Sequence, residues 1–193
     1  MPEDAGFGRK GSPLVNVSWF EAKAFADWFS RVTGKPYRLL TEAEWEYAAR
    51  AVTNAQAPHL TFYWGNDPGD ICKHANLGDL AYFTRFYENH EQCDDGGIAT
   101  TPVGRYAANA FGLHDMSGNV WQWVEDEWHS NYQGNPPTDG SAWPLGDKAR
   151  RVMRGGSFRG NPTVLRSGNR YWALAAERSE DLGFRLARSL PAT

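Results

Sequence analysis

The chain has 193 residues and a formal net charge of -3, with acidic and basic residues mixed along it, which excludes the basic face of a nucleic-acid binder and a polybasic membrane patch. No apolar run is long enough to span a bilayer and no basic-then-apolar signal opens the chain, so a soluble segment without membrane insertion is expected. This length suits one domain that buries its core without metal or disulfide staples, and 14% aromatic residues beside 20 Gly and 11 Pro point to a loop-rich fold pinned by large rings.

Residues 1–12 read as a polar tail, and the folded domain is expected over 13–190. Ser18 and Glu21 have capping-box spacing, the hydroxyl accepting the N3 amide while the carboxylate reaches back. Phe25, Trp28 and Phe29 then recur at helical spacing, and Gly34 supplies a stop before Pro36. Thr41 and Glu44 repeat the cap ahead of Trp45, Ala48 and Ala49, so two amphipathic helices are predicted. Past Arg50 the helical period vanishes. Short apolar clusters predict strands at Gln122 to Asp126, Val152 to Gly155 and Phe184 to Ala187, with ordered loop between them. Trp121 and Trp123 alternate around Gln122, which places at least one of them in the core.

Cys72 and Cys93 lie in separate loop-like segments; two unpaired thiols are expected, with a single bridge as the alternative. His59, His74, His90, His114 and His129 never take the spacing of a zinc helix, and no Ser sits in a nucleophile elbow. Glu125 and His129 stand at helix spacing, but such a pair belongs to surface chemistry. Gly155 and Gly156 lack a following Lys, so a tight backbone crossing is expected there and not a phosphate cradle.

Four segments carry a family resemblance: Pro13-Leu-Val-Asn-Val-Ser-Trp19, Tyr37-Arg-Leu-Leu-Thr-Glu-Ala-Glu-Trp-Glu-Tyr-Ala-Ala-Arg50, Asn109-Ala-Phe-Gly-Leu-His-Asp-Met-Ser-Gly-Asn-Val-Trp-Gln-Trp123, and the frame Arg151 to Phe158, Arg166 to Arg170 and Gly183 to Leu186. Together they resemble the formylglycine-generating enzyme and sulfatase-modifying-factor family. The resemblance implies an α+β domain with a variant of the C-type lectin-like fold, two helices with short antiparallel strands and long ordered loops.

In catalytic members two cysteine thiolates hold copper, and the matching positions here are Gly160 and Leu165. Cu(I) prefers soft thiolate ligands, so no copper and no oxidase chemistry are expected. Calcium, in contrast, takes oxygen ligands. The family's calcium sites map onto Asn76 and the Leu77 carbonyl with Asp95 and the Gly97 carbonyl, and onto Asp115, the carbonyls of Gly118 and Val120, and Gln122. Gln122 stands where the family commonly has Glu, which removes a charge from the second site. If no calcium binds, these Asn and Asp residues serve as turn formers.

The C-terminal frame also resembles a non-enzymatic branch of the fold, the variable proteins of diversity-generating retroelements, in which adenine-directed mutagenesis rewrites Asn codons between fixed Gly, Arg and Ser positions. This makes 151–188 a candidate variable region. Arg159, Gly160, Asn161, Thr163, Val164, Tyr171, Ala173, Leu174, Ala176, Ser179, Asp181 and Leu182 are all reachable from an Asn codon by changing adenines; Trp172, Glu177 and Glu180 are not. The expected ligand surface contains those twelve positions together with Trp172, Arg178 and Glu180, with Tyr171 and Trp172 as anchors. A protein or cell-surface ligand is the expected partner, bound by a monomer or by part of a longer chain. An enzyme using the same groove, or an undiversified binding member, is the alternative.

Overall fold

A computed structural model describes residues 11–53, 60–79, 82 and 93–190. His59 and His90 fall outside them. Both predicted caps form. Ser18 opens α1 (Trp19–Thr33) with a complete capping box, and Gly34 closes it in the left-handed conformation at φ 65°. Thr41 and Glu44 cap α2 (Glu42–Arg50) in the same way. The aromatic spacing of α1 misleads about its buried side, because Trp19, Ala22 and Ala26 enter the core while Phe25 and Trp28 keep 39% and 48% of their surface exposed.

Between the helices lies β1 (Tyr37–Leu39), and after them come a short 3-10 turn at Pro68–Asp70 and α3 (Ile71–His74). The remaining elements are β2 (Trp121–Trp128), β3 (Asp147–Arg154), α4 (Pro162–Leu165), β4 (Arg170–Leu174), β5 (Leu182–Phe184) and β6 (Leu186–Arg188). One sheet has the order β4-β3-β2-β5, and β1 pairs with β6 in a second.

Several sequence expectations change. The strand predicted at Phe184 to Ala187 is two strands in different sheets, with Arg185 at the switch. Its first part pairs with β2 in parallel, Gln122 opposite Gly183, whereas the other pairings are antiparallel as expected. Glu125 belongs to β2, so it shares no helix face with His129. Cys72 and Cys93 are joined, with Cα atoms 6.2 Å apart, against the expectation of free thiols. Cys72, in α3, and Cys93 pack against the cluster of Phe62, Ile71, Ala75, Leu77 and Leu165, which brings the two segments together.

The main core lies between α1 and the larger sheet, where Trp123 and Trp19 are buried with Met153, Ala173 and Leu182. Their indoles are satisfied reciprocally, Trp19 Nε1 donating to the Val124 carbonyl and Trp123 Nε1 to the Val17 carbonyl. No helix among the described residues is long and apolar enough to cross a membrane.

Candidate functional site

β3 ends in the buried run Val152, Met153 and Arg154, and the two glycines after it turn the chain at φ 100° and 75°. A Cβ on Gly155 would lie 3.2 Å from the Trp45 ring, and one on Gly156 would lie 2.8 Å from Leu165 Cδ1. The glycines therefore make the tight crossing that the sequence suggested. Ser157 follows, buried, its hydroxyl donating to Asp181 Oδ2.

This frame holds Arg154, which is 0% exposed. Its guanidinium donates to the carbonyls of Ser167, Gly168 and Asn169 and to Glu46, lies 3.5 Å from Glu42, and sits over the Trp45 ring. Arg170, at the start of β4, adds a two-pronged pair to Glu42 at 2.8 and 2.7 Å. Sequence reading missed this network; the recurring arginines of the frame were its only signal. Arg166, although a fixed position of the frame, is exposed, and among the described residues its side chain bonds locally, to the Thr163 carbonyl.

The expected ligand positions divide by their environment. Arg159, Asn161, Thr163, Tyr171, Leu174, Ala176 and Arg178 are exposed, Tyr171 by 54% and Leu174 by 50%. Gly160, Val164, Trp172, Ser179, Glu180 and Asp181 are partly covered. Ala173 and Leu182 are buried in the main core and so do not reach a ligand. Strand alternation explains Ala173, since its neighbours on β4 point the other way. Gly160 is also constrained: a Cβ there would lie 2.4 Å from Val164 Cγ2, and its carbonyl accepts from the Gly78 amide.

Several exposed groups are held in place. Arg159 pairs with Glu180, and Arg150 lies 4.0 Å over the Trp172 ring. Arg178 donates twice to Glu21, and with the Ser18 cap this holds the Glu21 carboxyl down at about 2. Asp181 accepts from both Ser157 and Ser179, which gives Asp181 and Ser179 structural work beside any ligand contact.

The two oxygen-rich loops differ. In the first, Asn76 Oδ1 is buried without a hydrogen-bond partner. A Cβ on Gly97 would meet that atom at 3.3 Å and Asp95 Oδ1 at 3.2 Å, so the two oxygens converge on one small space. Asp95 accepts from the amides of Leu77 and Gly97, yet burial pushes its carboxyl up to about 7, with the charge of Asp79 adding to the effect. An unpartnered amide oxygen beside a destabilised carboxylate suits a hard cation.

In the second loop Asp115 sits in the left-handed region at φ 56°, with Oδ1 buried and unpartnered. Gln122 is committed elsewhere: its Oε1 accepts from Trp45 Nε1 and Arg185 Nε, and its Nε2 donates to the Asp115 carbonyl. Arg185 Nη2 also donates to the His114 carbonyl, so a guanidinium already lies against this loop. Gly118, whose Cβ would lie 2.2 Å from the Asn76 carbonyl oxygen, presses the two loops together. Among the described residues no group of three His, Cys, Asp or Glu side chains could hold a metal, so any cation at either loop needs amide and carbonyl oxygens beside its single carboxylate.

The positions matching the copper thiolates do not fit copper. Leu165 is 0% exposed in the core, Gly160 has no side chain, and the chain's two cysteines are bonded to each other.

Residues 4–190 match the model of the sulfatase-modifying factor enzyme 1-like domain. The chain belongs to this family. It is 41% identical over 140 residues to the formylglycine-generating enzyme of Mycobacterium tuberculosis, covering 71% of this chain and 41% of that one. The chain spans about half the length of the curated relatives it matches. Among solved structures, PvdO from Pseudomonas aeruginosa superposes with a TM-score of 0.75 at 38% identity, over 96% of this chain and 70% of its own. Variable protein 1 of Treponema denticola superposes equally well, with a TM-score of 0.75 at 25% identity over 96% of this chain and 74% of that one. The C-type lectin-like α+β fold is thus shared by this chain, PvdO and a variable protein.

Proposed function

We propose that this domain is a non-catalytic ligand-binding module, displaying side chains of the 159–181 region on a C-type lectin-like scaffold. One observation carries the reading: the Gly, Arg and Ser frame is buried and internally bonded at Arg154, Ser157 and Ser167, while the residues between open to solvent at Arg159, Thr163, Tyr171 and Leu174. Tyr171 supplies a rigid amphipathic anchor at low entropic cost. Arg159, Glu180 and Arg178 add charge to the same span, which sets the choice of protein partner. Rewriting these positions leaves the core untouched, which is the property a diversified binding surface requires.

Calcium belongs to the proposal as a structural ion. Asn76, Asp95 and the carbonyls of Leu77 and Gly97 would hold it in the first loop, bracing the segments that carry Gly160. Asp115, Gly118 and Val120 would form a weaker second site, because Gln122 is already saturated. Bound there, calcium would supply charge for the buried oxygens and no chemistry.

Likeness to formylglycine-generating enzymes favours a second reading, catalysis on a thiol substrate. Incubation with copper and a Cys-containing sulfatase-motif peptide, read by mass spectrometry, separates the two. The expected result is no aldehyde above the no-protein control; conversion above it refutes the non-catalytic reading.

A further inference from the structure

We propose that the cleft between α2 and the 129–146 loop is a second binding site, one that takes an organic monocation: an ammonium group on a short apolar stem. The cleft encloses about 420 Å³, within the range of small-molecule sites. Tyr47, Tyr132 and Trp143 form its aromatic part, and Glu42, Glu46 and Asp126 its carboxylate part, while no Lys or Arg among the described residues lines it. The charges do not cancel evenly. Arg154 and Arg170 pair with Glu42, and Arg154 and Arg50 with Glu46, without lining the cleft.

Asp126 is different. It is 4% exposed, accepts only from the amides of Glu42 at 2.6 Å and Trp143 at 2.7 Å, and lies in no ion pair among the described residues. A carboxylate removed from water without a counter-charge is costly, and a cation brought beside it recovers that cost. Tyr47 and Trp143 suit the same guest, because the negative face of an aromatic attracts a cation within about 6 Å, whereas the Tyr132 ring already carries the Arg170 guanidinium 4.5 Å from its centroid. Trp143 is also held in place: it stacks on His129 at 3.7 Å and lies near-parallel to Tyr132. Tyr132 and Tyr47 nevertheless expose 53% and 66% of their surface. An anion would meet three carboxylates, and a neutral guest would leave Asp126 uncompensated.

The cleft takes none of its lining residues from the 159–181 span, which reaches it only through Arg170 on Glu42 and Tyr132, so the proposal stands or falls without the display reading. The test titrates the full chain with n-butylammonium chloride and with Nα-acetyl-lysine methylamide, with n-butanol, sodium butyrate and glucose as controls, by isothermal calorimetry. The ammonium probes should bind about tenfold or more tighter than butanol, and butyrate and glucose should not bind measurably. Stronger binding of the lysine derivative assigns the site to a protein side chain; stronger binding of butylammonium assigns it to a free amine. Asp126→Ala removes a bond to the first turn of α2, so the variants are Tyr47→Ala, at an exposed ring, and Trp143→Ala. Each should weaken the ammonium probes several-fold with the circular dichroism spectrum unchanged. Butylammonium binding no tighter than butanol, glucose binding tighter than either, or both variants binding as the wild type would overturn the proposal.

Discussion

Arg154→Ala tests the scaffold most directly. The substitution removes a fully buried guanidinium and with it the donors to three backbone carbonyls, Ser167, Gly168 and Asn169, and to Glu46. Glu42 keeps Arg170, so one carboxylate remains compensated while Glu46 loses its shorter ion pair. Breaking a buried charge network from one side costs about 3–5 kcal/mol, and carbonyls left without donors push toward the upper end. For a chain of this size that lowers the melting midpoint by roughly 10 °C. Urea unfolding measures it, provided the slope is unchanged so that the midpoint reports stability. Arg166→Ala is the control, because the Arg166 side chain is exposed and donates locally, to the Thr163 carbonyl; it should cost less than about 0.5 kcal/mol. If Arg154→Ala falls within about 1 kcal/mol of wild type, or Arg166→Ala costs as much as Arg154→Ala, the buried frame is not what holds the display surface.

Replacing Arg159, Thr163, Tyr171 and Leu174 together by Ala should leave the melting midpoint nearly unchanged and abolish binding to a cognate partner; unfolding of this variant would place the scaffold where the binding surface has been assigned. Calcium at a hundredfold excess over its Kd should stabilise the fold by about 2.7 kcal/mol relative to chelator, and Asn76→Ala should remove most of the gain; equal midpoints in demetallated protein would leave Asn76, Asp95 and Asp115 as turn formers. Reducing Cys72–Cys93, separated by 21 residues, should cost about 3 kcal/mol through freed chain entropy, and a reduced protein as stable as the oxidised one would count against that account. Burial pushes the Asp126 carboxyl up to about 6, so the folded state favours its protonated form. That contribution is present in full below the ordinary value near 3.8 and is lost as pH rises through about 6; Asp126→Asn should flatten the decline in stability across this window, and an unchanged slope refutes the assignment.

Local chemistry was legible in the sequence because its causes are local. Ser18 with Glu21 and Thr41 with Glu44 each satisfy helix-end amides within four residues, so spacing alone was enough to place both helices. The Gly155–Gly156 crossing and the family frame were readable for the same reason: a backbone that passes close to Trp45 and Leu165 demands glycine whatever surrounds it. Tertiary structure decided what depends on residues far apart. Only the fold could join Cys72 to Cys93, split the last strand at Arg185 between two sheets, and bury Ala173 while its neighbour Leu174 faces solvent. The aromatic spacing of α1 could not say which face is covered, because burial depends on the partner and the partner is the sheet. Arg154, Glu42 and Asp126 are ordinary surface-type residues by composition. It is the low-dielectric space enclosed by α2, β2 and β3 that makes one of them a keystone and leaves another without a counter-charge.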